Sequence, residues 1–418
     1  MRPSRRSLTV LMATALATSV AAPVAAARAD EQTKTVSYHG YQIQIPDDWK
    51  VVDLARDPRA CVRYDRPAVY LGTAGKQTDC PAGLMGRTAG IHLEPITAAT
   101  GSSVSAGVTR TPAGDAAPAR PSSKHGQIQY VVEAAGLLVT AAHTSATEQS
   151  VRDVLGDARL TASARRTPFV AKSASPAAQA VGPQPGTYTG EGFDACQAPA
   201  QGAMDDWKAS SPYSAVGIYI SGDTRACEQP NLTADWVTAQ TAAGWHLIPI
   251  EVGKQASCSR FSNRMSSDPV VARTEGSDAA RGSVQAAQSL GIPTGSVLYN
   301  DIEQYPSDPQ CKDAFLSYLS GWTDTLHEAS YLSGVYSSAS SGIADAASET
   351  TNPSYTVVDQ IWFAWWNEAH DTAGGRYVGD DQWALHQRIH QYQGGHDETY
   401  GSTTINIDGN YLDVAAPQ

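Results

Sequence analysis

Four carboxylic acids in the second half of the chain lie where apolar runs end. Asp194 ends the first of these runs, Asp301 and Glu303 end a later run with the spacing Asp-x-Glu, and Asp408 ends the last. Residues two apart in a strand share a face, so Asp301 and Glu303 are predicted to point the same way. Neighbouring carboxylates repel, which raises the pKa of one and keeps it protonated near neutral pH. One protonated and one ionised carboxyl group is the pair that cleavage of a glycosidic bond requires.

The same acids have two other interpretations. Acids at strand ends often cap loops or form salt bridges. Three or four carboxylates could instead bind Ca²⁺ or Mg²⁺. No histidine lies near the acids in the sequence, and no C-x-x-C motif or histidine cluster indicates zinc. We therefore expect no metal and no cofactor.

These acids can meet only if the runs that carry them are strands of one barrel. The C-terminal half contains eight such runs, at 192–195, 215–220, 246–250, 296–301, 333–336, 360–365, 389–392 and 404–408. Helical stretches at 233–243, 268–290 and 311–329 separate the early runs. This alternation predicts an α/β fold, a TIM-like (β/α)8 barrel, with the acids at the carboxyl ends of its strands. Less helix separates the last runs, so we expect the barrel to be irregular there.

Aromatic side chains near the strand ends could stack on sugar rings. They are Tyr219, Tyr299, Tyr305, Trp362, Trp365, Trp366 and Tyr392. Aromatic residues also fill barrels and pack helices on sheets, and packing is the expected role of Tyr299. Trp365, Trp366 and Asn367 follow the sixth run, which places at least one of them near the mouth.

Several segments resemble a known family. They are GFDACQAP, GIYISGDTRACEQPNLT, HLIPIEVG, YNDIEQY, SGVYSS and IWFAWWN. These segments are similar to the glycoside-hydrolase-like domain of unknown function in secreted proteins of high-GC Gram-positive bacteria. That domain is similar in fold to the family-25 lysozymes, which are N-acetylmuramidases.

The resemblance implies roles for individual residues. Glu303 would be the general acid, and Asp301 and Asp194 would support charge development or orient sugar or water. Asp408 would complete the acidic floor. The late Gln-Tyr pair of the lysozymes matches Gln391 and Tyr392, which we therefore include among the candidate substrate-binding residues with Tyr219, Tyr305, Trp365, Trp366 and Asn367.

The rest of the chain divides into segments of different composition. Residues 1–29 combine a basic start, an apolar stretch and a small-x-small site, which predicts a signal peptide of the Sec or twin-arginine type. Residues 30–170 are predicted to form an α+β accessory module, in which Val36 to Ile45 reads as one strand and residues 99–125 as a loop. Residues 171–187 read as a Pro- and Ala-rich linker, and 188–418 as the barrel.

Two of the six cysteines lie in the first half and four in the second, so each half has an even number, and export permits disulfides. Cys61–Cys80 is the natural pair in the first half. Among three possible connectivities in the second half, we favour the sequence neighbours Cys196–Cys227 and Cys258–Cys311.

The charge indicates the classes of partner. The formal net charge is −12, and removal of four arginines with residues 1–29 takes it to about −16. This argues against nucleic acid as a partner. No second apolar stretch could cross a membrane. We expect a secreted protein that acts on a cell-wall polysaccharide, peptidoglycan above all; a catalytically inactive polysaccharide-binding barrel and a partner-binding role led by the module are the alternatives. The sequence leaves the oligomeric state open.

Overall fold

The structure, a computed structural model, describes residues 32–75, 80–96, 108–112, 114–161 and 181–415. The predicted signal peptide, most of the predicted linker and part of the predicted loop at 99–125 lie outside the described residues. No helix among the described residues is both long enough and apolar enough to cross a membrane.

The N-terminal module is rich in β-structure and contains one α-helix in its described part. A three-stranded sheet has the order β1-β2-β10, and a larger sheet has the order β3-β4-β5-β9-β8-β6, with β7 paired to β8. Its elements are β1 (Thr33–Tyr38), β2 (Tyr41–Pro46), β3 (Lys50–Asp53), β4 (Ala68–Leu71), β5 (Gly90–Pro95), β6 (Thr109–Arg110), β7 (Ser123–Lys124), β8 (Gln127–Val132), β9 (Leu137–Ala142), α1 (Glu148–Gly156) and β10 (Arg159–Leu160).

The prediction of one strand from Val36 to Ile45 was wrong, because this segment is a hairpin. Strands β1 and β2 pair in antiparallel fashion, with Tyr38 opposite Tyr41. The two residues between them, His39 and Gly40, have φ values of 49° and 80°. Positive φ at both central positions is the geometry of a tight hairpin turn, which glycine adopts without steric cost.

The C-terminal half forms a closed eight-stranded barrel. Each strand coincides with one of the eight predicted runs. The strands are β11 (Tyr188–Asp194), β12 (Ala215–Ser221), β13 (His246–Glu251), β14 (Val297–Asp301), β15 (Leu332–Ser338), β16 (Gln360–Ala364), β17 (Gln387–Tyr400) and β18 (Thr403–Val414).

The barrel departs from the regular alternation that the sequence predicts. Strands β11 to β17 pair in parallel, whereas β18 is antiparallel to both β17 and β11. Its α-helices are α2 (Gln201–Ser210), α3 (Ala234–Ala242), α4 (Pro269–Ser289), α5 (Pro309–Glu328) and α6 (Ala344–Ser348). No α-helix connects β16 to β17, although the structure describes every residue between them. The irregular end expected from the sequence is therefore a long loop followed by a hairpin.

Short sequence signals fix where the two longest helices begin. The side chains of Asp268 and Asp308 accept hydrogen bonds from the backbone N–H groups of Val270 and Cys311. A proline follows each aspartate at the first helical position, where its missing N–H has no intrahelical partner to lose. Each cap of this kind stabilises a helix by about 1 kcal/mol.

Strand β14 shows how the barrel core is built and how it aims the acids. Val297 and Tyr299 lie in the apolar cluster that fills the barrel. Leu298 and Ile302 belong to the two clusters formed with the surrounding helices. The alternation thus directs Asp301 to the interior at the carboxyl end of the strand.

The end of the predicted linker is part of the barrel floor. The backbone N–H of Gln184 donates to Ser296 Oγ at 2.8 Å, and its side-chain oxygen accepts from the N–H of Leu247 at 2.8 Å. Both contacts lie at the amino ends of strands. The first and last strands also meet at this floor, where Tyr188 is opposite Val414.

All three predicted disulfides are confirmed: Cys61–Cys80, Cys196–Cys227 and Cys258–Cys311. The first lies in the N-terminal module and the other two in the barrel. None joins the two halves, so the contact between them is non-covalent apart from the chain itself.

Backbone groups join the N-terminal module to the barrel. Met85 pairs with Arg225 in an antiparallel bridge, and the N–H of Gly86 donates to Thr224 O at 3.0 Å. The N–H of Ala82 donates to Asn406 Oδ1 at 2.9 Å. Thr224 and Arg225 follow β12 and Asn406 lies in β18, so these contacts are at the end of the barrel that carries the acids.

Buried charged side chains reinforce the contact. Arg87 Nε donates to Arg225 O at 3.1 Å. His92 Nδ1 lies 2.7 Å from Glu228 Oε2, and the two side chains are 1% and 7% exposed. Burial by itself would lower the pKa of His92, but the adjacent Glu228 carboxylate raises it to about 9. The pair is therefore charged at neutral pH and satisfied only when the two halves are in contact.

Candidate active site

Asp194, Asp301, Glu303 and Asp408 line one cavity at the carboxyl ends of the barrel strands. Asp194 is opposite Asp408 in the β11–β18 pair and opposite Gly217 in the β11–β12 pair. The antiparallel last strand therefore brings two of the acids side by side. Glu303 lies two residues beyond Asp301 and is the most accessible of the four.

Two amide side chains hold the Asp194–Asp408 pair. Asn410 Nδ2 donates to Asp194 Oδ2 at 2.7 Å. Gln391 Nε2 lies 3.2 Å from Asp194 Oδ2 and 3.4 Å from Asp408 Oδ2, between the two carboxyl groups. Trp362 Nε1 donates to Asn410 Oδ1 at 2.8 Å, which fixes the orientation of that amide.

The Gln391 amide is oriented in the same way. Its oxygen accepts hydrogen bonds from Tyr336 Oη and from Trp366 Nε1, both at 3.0 Å. Only the nitrogen is left to face the acids. The structure thus places Gln391 as a support for the carboxyl groups, while its predicted contact with substrate stays a prediction.

Gln255, which follows β13, holds the segment that carries Asp301 and Glu303. Its Nε2 donates to Asp301 O and its Oε1 accepts from the N–H of Glu303, both at 2.8 Å. The side chain is completely buried. This bidentate contact fixes the backbone just beyond β14, where the strand ends and the Asp-x-Glu acids must be aimed.

Burial raises the pKa of every acid in the cluster, and neighbouring acids add to the rise for Asp194, Asp301 and Asp408. The pKa of Asp194 rises to about 6 through burial, although hydrogen bonds from Asn410 and Gln391 oppose the rise. Burial and neighbouring acids raise the pKa values of Asp301 and Asp408 well above their ordinary range. The pKa of Glu303 is also raised by burial. At neutral pH the cluster therefore contains both protonated and ionised carboxyl groups.

Two carboxyl oxygens of the cluster lack a protein partner. Asp301 Oδ1 and Asp408 Oδ1 are buried and accept no hydrogen bond from the described residues. Buried oxygens of this kind are uncommon, since an unmade hydrogen bond costs about 1–3 kcal/mol. Their positions beside the cavity suit them to contact hydroxyl groups of a polar ligand.

Replacing Asp408 by asparagine is expected to stabilise the protein more at pH 8 than at pH 4. Because the folded-state pKa of Asp408 is raised, the folded protein binds this proton more tightly than the unfolded chain. Stability is therefore greatest below the unfolded pKa and falls as the pH rises through the folded pKa. An asparagine keeps an acceptor for Gln391 and never ionises.

Urea unfolding at pH 4 and pH 8 measures this difference. The exposed Asp235→Asn substitution is the control and should change stability little at either pH. An Asp408→Asn gain that was equal at the two pH values would rule out ionisation as its cause.

Of the predicted aromatic ligands, Tyr219 and Trp366 lie closest to the acids. Tyr219 lines the cavity, and its pKa is raised by burial and by the neighbouring acids. Trp366 reaches the acids through its hydrogen bond to Gln391, and 65% of its surface is exposed. An exposed indole beside an acidic cavity is well placed to stack on a sugar ring.

The other predicted ligands lie outside the cavity. Tyr305 is 3% exposed and donates to Asp345, so it packs beneath the mouth. Trp365 packs edge-on against Tyr377. The Tyr392 ring stacks on His370, with 4.0 Å between centroids, and its hydroxyl donates to Glu191. The exposed Asn367 accepts a hydrogen bond from the N–H of Ala369.

Several residues of the site are not among those predicted from the sequence. Tyr336 lines the cavity, and Asn410 and Gln255 hold the acids. Tyr336 ends the fifth run, so its position at a strand end could have identified it. Asn410 and Gln255 act through backbone or amide contacts that leave no signature in the sequence.

Among the described residues, no group of three or more His, Cys, Asp or Glu side chains has an arrangement that could hold a metal ion. The buried acids are instead satisfied by amide donors, or have oxygens that face the cavity. Their arrangement suits proton transfer and contacts with hydroxyl groups.

Comparisons with known proteins find one family model and several distantly similar structures. Residues 205–412 match the family model described as the Rv2525c-like, glycoside hydrolase-like domain. An uncharacterized B. stearothermophilus protein is 22% identical with a TM-score of 0.39, over 53% of this chain and 95% of that one. The Tat-secreted protein Rv2525c of Mycobacterium tuberculosis, in complex with L-tartrate, is 15% identical with a TM-score of 0.39, over 54% of this chain and 96% of that one.

A more distant structure is the modular autolysin LytC of Streptococcus pneumoniae. It is 14% identical with a TM-score of 0.33, over 54% of this chain and 46% of that one. No curated protein matches the chain.

Proposed function

The barrel belongs to the Rv2525c-like, glycoside hydrolase-like family, and we propose that it is a glycosidase that acts on a cell-wall polysaccharide, with peptidoglycan as its main substrate. One observation carries this proposal: four acids with raised pKa values meet in one cavity at the carboxyl ends of the strands. This arrangement supplies the protonated and ionised carboxyl groups that glycosidic cleavage uses.

Glu303 is the proposed general acid. It is the most accessible of the four acids, and burial raises its pKa, which favours the protonated form that a general acid needs. It donates that proton to the leaving glycosidic oxygen. Asp194, whose pKa is about 6, is ionised at neutral pH and supports the positive charge that develops on the sugar or orients water. Asp301 and Asp408 bind hydroxyl groups through their free oxygens.

We propose a division of the chain that agrees with this role. Residues 1–29 are an export signal, residues 30–170 an accessory module, and the barrel a variant of the (β/α)8 fold whose last strand is antiparallel. Export would bring the barrel to the cell wall. The basic start and the small-x-small site before Asp30 support this location.

The release of new reducing ends from purified peptidoglycan and from a panel of neutral glycans tests the proposal. Two proteins are used: the wild-type chain, and the Arg87→Ala/His92→Ala chain, whose contacts between module and barrel are weakened. Release that disappears when Glu303 is replaced by glutamine is the expected result. If neither protein released reducing ends from any glycan, the glycosidase proposal would be wrong.

Glycan binding without turnover is the second candidate function. It is favoured by the raised pKa values, because a largely protonated cluster suits uncharged sugar hydroxyls as well as it suits catalysis. This candidate predicts that the protein sediments with insoluble wall material and generates no reducing ends. Soluble protein left in the supernatant would contradict it.

A further inference from the structure

Residues 80–86 of the N-terminal module, which we term the plug, lie over the acids of the barrel. Gly83 and Met85 line the same cavity as the four carboxyl groups. A Cβ atom on Gly83 would lie 3.7 Å from Asp408 Oδ2. The cavity that remains has a volume of about 10 Å³, which is about the space for a single water molecule. A sugar ring cannot reach the acids while the plug is in place.

Backbone hydrogen bonds hold the plug on the rim of the barrel. The N–H groups of Ala82 and Gly86 donate to Asn406 and Thr224, which belong to β18 and to the segment after β12, the two strands that flank β11. Met85 pairs with Arg225 as a short antiparallel bridge. The plug therefore crosses the rim at β11, the strand that carries Asp194, and is hydrogen-bonded at both ends.

The plug is also fixed from behind. Cys80 is bonded to Cys61, and this disulfide packs against the Cys196–Cys227 disulfide of the barrel. Leu84 adds a partly buried apolar contact to the same cluster. A loop with one end anchored in this way loses little further conformational entropy when it covers the acids.

Residues of the N-terminal module outside the plug also make specific contacts with the barrel. Tyr64 donates its backbone N–H to Ala226 O at 2.8 Å. Arg87 and His92 of the module find their partners on the barrel, at Arg225 O and Glu228. Charged groups buried this deeply require specific partners, so the contact between module and barrel is a specific interface.

We propose that the N-terminal module is a built-in inhibitor of the barrel, and that a glycan reaches Glu303 and Asp408 only after the plug has been displaced. This inference rests on the proposed function for its consequence, but its physical content is the accessibility of the acids. The module and the glycan compete for one surface, the rim formed by Thr224, Arg225 and Asn406. The fraction of molecules with a displaced plug then limits both binding and turnover.

Carboxyl labelling tests this accessibility without a substrate. A water-soluble carbodiimide with glycine ethyl ester is applied to the full-length chain, and mass spectrometry follows the labels on Glu303 and Asp408. The exposed Glu328 on helix α5 is the internal reference. In the wild type we expect the two site acids to react about tenfold more slowly than in a chain with a weakened contact, because access scales with the open fraction.

Two variants weaken the contact from opposite sides. Arg87→Ala/His92→Ala acts on the module, and Asn406→Ala/Glu228→Gln acts on the barrel, so loss of module folding cannot explain a common result. The control is Arg56→Ala, which removes an arginine whose side chain is 88% exposed. Both double variants should label faster at Glu303 and Asp408, and the control should match the wild type.

The outcomes separate this inference from the proposed function. If the site acids of the wild type labelled as fast as in both double variants, the plug would not be an inhibitor. If labelling rose in the variants but neither variant cleaved any glycan, the plug would stand and the glycosidase proposal would fail. If both proposals are right, labelling and release of reducing ends rise together, each by about tenfold.

Discussion

The Glu303→Gln chain is expected to lose glycan hydrolysis by a factor of about 10²–10⁴, the usual contribution of a positioned general acid. Glutamine keeps the shape of the side chain, and its oxygen can still accept the hydrogen bond from the backbone N–H of Gln304. It has no acidic proton to transfer to the leaving oxygen. Stability and glycan binding should therefore be retained. The loss should appear in kcat and not in KM, because the proton is transferred only in the transition state. The comparison is made in the Arg87→Ala/His92→Ala background, which weakens the contact between the plug's module and the barrel.

The control is Glu328→Gln on the outer face of the barrel, which makes the same substitution at an exposed position and should leave the rate unchanged. The pH profile gives a second readout. The rate should rise as Asp194 ionises near pH 6, and the raised pKa of Glu303 should extend activity to higher pH than an ordinary glutamic acid would allow. An unchanged rate in Glu303→Gln would assign the general acid to another residue.

Replacing Gly217 by alanine is expected to reduce both stability and activity. Gly217 is opposite Asp194 in the strand pair, and an added Cβ would lie 2.6 Å from Asp194 Cβ and 3.1 Å from Ile250 Cδ1. Atoms cannot remain this close, so Asp194 must move. Overpacking of this kind costs about 1–3 kcal/mol, and a displacement of about 1 Å at a catalytic group can lower a rate about 10²-fold.

A matched substitution separates this effect from the general effect of replacing glycine in the barrel. Gly202 lies in helix α2, and a Cβ there would meet no atom within 4 Å. Gly202→Ala should stabilise the protein by about 0.5–1 kcal/mol through helix propensity, without a change in rate. Urea unfolding and reducing-end release measure both variants. Full activity in Gly217→Ala would show that the position of Asp194 is not critical.

The eight barrel strands could be predicted because each is an apolar run that ends in a polar or small residue. The direction of the last strand could not. Residues 404–408 have the same local pattern whether they pair in parallel or antiparallel. The direction follows from the length of β17, which continues to Tyr400 and leaves only two residues before β18, too few for a parallel crossover. In the module, His39 and Gly40 interrupt an alternating pattern that otherwise continues on both sides, and the hairpin was missed for that reason.

The acids of the site could be predicted because their positions at strand ends are a local property of the chain. Their supports could not. Gln255 contributes through two hydrogen bonds to the backbone beyond another strand, and Asn410 through a hydrogen bond to Asp194 on β11, which is 216 residues away in the chain. The plug could not be predicted from local patterns either, because its residues and the acids that they cover lie in different halves of the chain. Only the folded protein brings them together.

The barrel closes where Tyr188 pairs with Val414, at the end opposite the acids. Its first and last residues are thus neighbours, as is common for domains that tolerate insertion and circular permutation. A segment attached in front of the barrel enters at the floor, and its point of attachment leaves the catalytic end undisturbed. Different N-terminal modules could therefore be exchanged by recombination without a change in the active site. Only modules that extend to the mouth of the barrel would change the access of ligands to the acids.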